Sequence, residues 1–182
     1  MTFEDIKKAN ETIITTDIKG KQYSEVNQRI KAFRMVYPQG IIETEMISNE
    51  PNQEGIHTCI FRAMVGYIEN NELYKLATGT AYEKEDSTFI NKTSYLENCE
   101  TSAIGRALGI AGFGIDTSVA SAEEVQNAIA NQNVKADNLK ILANLDRPLK
   151  DKLVEHYGKD ITKLTDEESK EAIESLKRKG LI

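Results

Sequence analysis

The chain has 182 residues, 40% of them hydrophobic and 29% charged, with a formal net charge of −6. This length suits one ordinary domain plus a small appendage, with enough apolar residues for a proper core, and no apolar run approaches the ~20 residues that span a bilayer. The acidic balance excludes a protein that holds duplex DNA by a broadly basic surface, because neutralising phosphates requires clustered Lys and Arg.

The opening MTFEDIKKAN has acids and lysines where a secretory signal would have an apolar block, so a soluble, cytoplasmic protein is expected. Residues 23–37, YSEVNQRIKAFRMVY, place Val26, Ile30, Phe33 and Tyr37 on one helical face. Pro38 and Gly40 stop that helix. Lys31 and Arg34 fall on its outer side, with Arg29 at the other flank. Residues 41–48, 57–69 and 74–85 are rich in β-branched and aromatic residues and are separated by NEPNQEG and NNE, which predicts three consecutive antiparallel strands. In the second of these, Cys59, Phe61, Ala63, Val65 and Tyr67 alternate with Thr58, Ile60, Arg62, Met64 and Gly66, giving one apolar and one mixed face.

A long helix follows in NKTSYLENCETSAIGRALGIAGFGID, residues 91–116. Its apolar positions sweep over more than half the circumference, so it is expected to be buried against the sheet. The remaining strip, Thr101, Ser102, Gly105 and Gly109, has almost no side chain, and each helical glycine costs ~1 kcal/mol. Such a strip implies the close approach of another backbone, whether from a neighbouring subunit, a nucleic-acid strand or the chain itself. Gly112 and Gly114 end the helix.

Few catalytic patterns survive inspection. The glycine order is GxxGxG at a helix end, where a dinucleotide site needs GxGxxG at a helix start. No GxxxxGK[ST], HExxH or GxSxG occurs, and His57 and His156 are isolated. Cys59 and Cys99 lie far apart without a CxxC partner, as buried thiols in a reducing compartment would. The chain is therefore not expected to be an enzyme, nor to need a metal or other cofactor.

After Asp116 the character changes. Ser121 and Glu124 form a capping box that opens a short helix, which runs into the polar NQNVKADN. The division expected is an α+β domain over 1–120, a short helix and linker over 121–135, and a small helical tail over 136–182. The tail reads as three short helices, with Pro148 in the first turn of one and a Thr165–Glu168 capping box on another. Leu139, Leu142, Leu145, Leu149, Leu153, Tyr157, Leu164, Ile173 and Leu176 supply a miniature core.

The order helix, three antiparallel strands, long helix resembles the annealing domain of the Rad fifty-two family and its phage relatives, the Sak- and Erf-type single-strand annealing proteins. GKQYSEVNQRIKAFRMVYPQGIIETE, ATGTAYEKE and above all ETSAIGRALGIAGFG, with Arg106-Ala107-Leu108 and its trailing glycines, carry the likeness over residues 20–116. The resemblance implies a ring- or filament-forming homo-oligomer that binds single-stranded DNA and anneals it without ATP in phage or prophage recombination, inside a bacterial host. The tail from about Ala136 onward, charge-balanced, helical and joined by a polar linker, is expected to be dispensable for binding single strands and to recruit a partner such as a host single-strand-binding protein. The alternatives are a single-stranded DNA binder that does not anneal and an acidic protein-binding module or inhibitor. On the annealing reading, Lys31, Arg34, Arg62, Lys84, Lys92 and Arg106 supply phosphate contacts, most of them lining one groove. Tyr74, Tyr82 and Phe89, in or beside the third strand, are available either to stack bases or to fill the core, and Thr101, Ser102, Gly105 and Gly109 form the oligomer interface. The other reading of Arg106 is an ion pair with a carboxylate such as Glu97 or Glu100.

Overall fold

A computed structural model describes residues 2–88, 90–115 and 118–182, and at residue 131 the backbone alone. The chain divides into two compact units, Met1–Asn127 and Ala128–Ile182.

The first unit opens with α1 (Phe3–Asn10) and a two-stranded ribbon, β1 (Thr15–Ile18) and β2 (Lys21–Ser24). Lys19 and Gly20 both take positive φ at the ribbon's tip, the geometry of a two-residue turn that matches strand twist. The helix α2 (Val26–Val36) then leads into β3 (Ile41–Pro51), β4 (His57–Glu69) and β5 (Glu72–Lys84). These three pair antiparallel in the order β3-β4-β5, as the alternating patterns predict. Asn70 and Asn71, again both at positive φ, make the tight turn between β4 and β5. One extra residue bulges each ladder, Ile47 in β3 and Leu76 in β5. The long helix α3 (Asn91–Ile110) closes the layer.

The core lies between one face of the sheet and the helices. Phe33 and Val36 of α2, Cys59, Ala63 and Val65 of β4, and Cys99, Ala103, Ala107 and Leu108 of α3 are all buried there. The closest approach falls at Gly79 in β5. A Cβ at that position would sit 2.4 Å from the Ala107 nitrogen and 2.7 Å from the Ala103 oxygen, so the helix backbone rests directly on the strand. Tyr37, Tyr67 and Tyr74 stack in series at 5.0 and 5.2 Å and close one end of the layer.

In place of the helix and linker expected over 121–135, one continuous helix, α4, runs Ala122–Ala143. The segment holds neither Gly nor Pro, and Asn and Gln inside a helix cost only tenths of a kcal/mol each. The capping box that starts it forms as expected: Glu124 N donates to Ser121 Oγ at 3.3 Å and Ser121 N to Glu124 Oε2 at 2.9 Å.

The second unit continues through α5 (Arg147–Tyr157), a 3-10 turn (Ile161–Lys163) and α6 (Asp166–Arg178). Asp146 caps α5, Gly158 ends it in the left-handed region, and Thr165 and Glu168 form the expected box on α6. Leu142, Leu145, Ile161, Leu164, Ala172, Ile173 and Leu176 are its buried centre. Among the described residues no helix is long and apolar enough to cross a membrane.

Candidate nucleic-acid interface

The smooth strip on α3 faces the protein's own interior. A Cβ on Gly105 would meet Val26 Cγ2 at 2.8 Å, and one on Gly109 would meet Arg29 Nη1 at 2.7 Å. Ser102, Gly105 and Gly109 are all buried. What approaches this helix is Arg29, which is 0% exposed. Its guanidinium donates to Ser24 Oγ at 2.9 Å and to the carbonyls of Gly105, Val119, Ser118 and Ala120 at 2.8, 2.8, 2.7 and 3.0 Å. Burial pulls its pKa down, while the nearby charges of Glu124 and Glu123 oppose that shift. The expected oligomer interface is therefore corrected to a packing surface within the monomer: glycines leave room for a buried cation that ties α2, α3 and residues 118–120 together. Sequence reasoning set Arg29 aside as a flanking polar residue.

The expected phosphate-binding groove is corrected as well, because its cations point in different directions. Arg106 lies on α3, on the covered side of the sheet, and pairs with Glu124 at 2.6 Å, not with Glu97 or Glu100. Arg34 on α2 donates to the Gly40 carbonyl and lies over the Phe33 ring. Lys31 on α2 and Lys92 at the start of α3 are exposed. Arg62 and Lys84 instead belong to the opposite face of the sheet. Register fixes this, since Ala77, Gly79, Ala81 and Glu83 of β5 share the helix side with Val65, Ala63, Phe61 and Cys59.

That opposite face is not covered by α1, α2 or α3. On β5 it presents Lys75, Thr78, Thr80, Tyr82 and Lys84, and on β4 Thr58, Ile60, Arg62 and Met64. On β3 it presents Glu43, Glu45, Ser48 and Glu50. A groove of about 630 Å³ runs across its middle, lined by Glu43, Thr44, Glu45, Arg62, Met64, Lys75 and Thr78. Arg62 reaches Glu45 at 2.7 Å, with both side chains more than half exposed. Lys84 lies 3.8 Å from Asp86. Tyr82 is 73% exposed and sits opposite Ile60. Of the other stacking candidates, Tyr74 is engaged with Tyr67 on the helix side and Phe89 lies outside the described residues. Thr78 and Thr80 were missed from sequence although the alternation through LATGTAY was their signal, and Lys75 was missed because the bulge at Leu76 breaks that alternation.

The helix, three strands and helix that build this face coincide with a matched family. Residues 30–111 are similar to the Slr1353 N-terminal dsRNA-binding domain-like family. The match runs from within α2 to just past the end of α3, so it contains the whole sheet and every outward residue named above. No curated protein matches the sequence. Similarity to the Slr1353 N-terminal family overturns the resemblance to Rad fifty-two-type annealing proteins. Structure explains why that likeness misled: Ala107 and Leu108 are fully buried core residues and Gly109 faces Arg29, so the compact Arg-Ala-Leu motif with its glycines records packing.

Proposed function

We propose that the first unit binds nucleic acid on the open face of its sheet and prefers single strands. The observation that carries this reading is Tyr82, an aromatic at 73% exposure, set among hydroxyls and cations on a face that α1, α2 and α3 leave open. Similarity of residues 30–111 to a dsRNA-binding domain-like family supports a nucleic-acid partner. The choice of single strands rests on physics. Base–aromatic stacking contributes ~1–3 kcal/mol per base and requires a base free of its own stack, but little net charge. Holding a duplex by shape requires phosphate contacts repeated along ~16 base pairs, and a chain of net charge −6 with Arg62, Lys75 and Lys84 on this face offers few.

Duplex RNA is the second reading, favoured by the description of the matched family. Strand annealing, phage recombination and ring assembly came with the overturned resemblance, and no feature of the open face carries them. Titration of the full chain with labelled single-stranded DNA, single-stranded RNA and duplex RNA at one ionic strength separates the readings. Single strands binding tightest, with loss in Tyr82→Ala, supports the first. Duplex RNA binding tightest, indifferent to Tyr82, replaces it with the second.

A further inference from the structure

The charges on the open face are sorted by strand. Outward positions of β5 hold Leu73, Lys75, Thr78, Thr80, Tyr82 and Lys84, with no carboxylate among them, whereas those of β3 hold Ile41, Glu43, Glu45, Ser48 and Glu50, with no cation. Glu43, Glu45 and Glu50 are all exposed. Register sets Glu43 level with Met64 and Thr78, Glu45 with Arg62 and Thr80, and Glu50 with Thr58 and Lys84. The outer strands are two strand spacings apart, roughly 10 Å.

We infer that Glu43, Glu45 and Glu50 are the specificity element of this face, excluding the second strand of a duplex. This inference rests on the open face being the nucleic-acid site. One phosphate row finds its cations at Lys75 and Lys84 on β5, with a base over Tyr82. A duplex carries a second row. It lies either beyond the β5 edge, where it gains nothing from the sheet, or across the face, where it meets the carboxylates of β3. Arg62 reinforces the direction of approach. Glu45 holds its guanidinium from the β3 side, so a phosphate reaches it from the β5 side without displacing that partner. Specificity of this kind comes from a built-in repulsion as much as from attraction. Carboxylates also guard exposed sheet edges against pairing with other chains; that role alone predicts no discrimination between single and double strands.

The test uses the full chain with two probes, a labelled oligonucleotide and the same strand annealed to its complement, made as DNA and as RNA and titrated at one ionic strength. Neither Glu43 nor Glu50 has an ion-pair partner among the described residues, so Glu43→Gln/Glu50→Gln removes charge without releasing Arg62. Expected is a rise in duplex affinity of roughly tenfold and in single-strand affinity of less than about threefold, as two exposed like-charge contacts would give. Glu50→Gln alone, beside Thr58 at the end of the sheet, should give a smaller change in the same ratio and serves if the double variant aggregates. An equal rise for both probes, or an unchanged duplex affinity, overturns the inference while leaving the binding face in place. Failure of the face itself reads differently: single-strand affinity that survives Tyr82→Ala and Arg62→Ala removes the site and the inference together.

Discussion

Arg29 Nη1 donates to the Gly105 carbonyl at 2.8 Å, across 76 residues of sequence and wholly inside the protein. The bond falls in the last turns of α3, where Gly109 leaves room for the guanidinium, and the same nitrogen reaches Val119 O. Arg29 therefore acts as a polar centre for the first unit, satisfying carbonyls that helix packing would otherwise strand. Replacing it with Met keeps much of the volume but leaves the oxygens of Gly105, Ser118, Val119 and Ala120 without these donors. Arg29→Met should cost about 3 kcal/mol, because each buried acceptor left without a donor costs ~1–3 kcal/mol, measured by denaturant unfolding. Arg29→Lys should recover only part, because an ammonium has three donors where the guanidinium uses its fork.

Gly79 gives a second stability test. Its Cβ would lie 2.4 Å from a backbone nitrogen of α3, and backbone cannot yield as a flexible side chain does. Gly79→Ala should cost about 3 kcal/mol, at the upper end for overpacking, despite alanine's easier fit to a strand. A melting temperature unchanged from wild type would show that α3 can ride higher on the sheet.

The α2-β3-β4-β5-α3 order was legible because each element carries its own period and each boundary its own breaker: Pro38 and Gly40 after α2, Asn70-Asn71 at a hairpin tip, Gly112 and Gly114 after α3. Arg29 was not. An arginine flanking the apolar stripe of a helix looks like a solvated residue, and the carbonyls that bury it come from residues 118–120, which no local pattern links to it. The glycine strip announced close approach without saying what approached. The cation groove failed for a related reason, since the side of the sheet a strand residue faces depends on register. Lys75 shares the open face with Thr78 only because Leu76 bulges out between them.

Cys59 and Cys99 are both 0% exposed. Burial raises both thiols, that of Cys99 up to about 12, so neither supplies thiolate at neutral pH. An alkylating reagent should leave the native protein unmodified by mass and add two groups once it is unfolded. Rapid labelling of the native state would mean that the junction of α3 with β4 opens far more often than its packing implies.

Glu83 points to the helix side of β5, where Asn91 Nδ2 donates to its Oε2 at 2.7 Å. Burial raises its pKa above the ordinary carboxylate value, the Asn91 bond opposes that shift, and the Glu124 charge adds to it. The folded state thus holds this proton more tightly than the unfolded chain does. Its penalty is absent below the unfolded pKa and complete above the folded one. Glu83→Gln should therefore raise the melting temperature at neutral pH, with the gain vanishing at about pH 4. A gain that persists in acid would assign the effect to packing.

Tyr82 and Arg62 sit on the open face and contribute little to the core, so their replacement separates binding from folding. Tyr82→Ala should leave the melting temperature within about a degree of wild type, since surface changes stay within ±0.5 kcal/mol. The same change should weaken single-strand binding roughly 5- to 150-fold, the loss of one stacked base. Lys75→Ala should act through charge instead, lowering the slope of log affinity against log salt by about 0.7 for one lost phosphate contact. Tyr82→Ala should leave that slope alone, because stacking releases no counterion. Arg106→Ala, with its side chain on the covered side and paired to Glu124, should change neither affinity nor slope. If Arg106→Ala weakens binding and Tyr82→Ala does not, the strand runs over the helices and the open face is not the site.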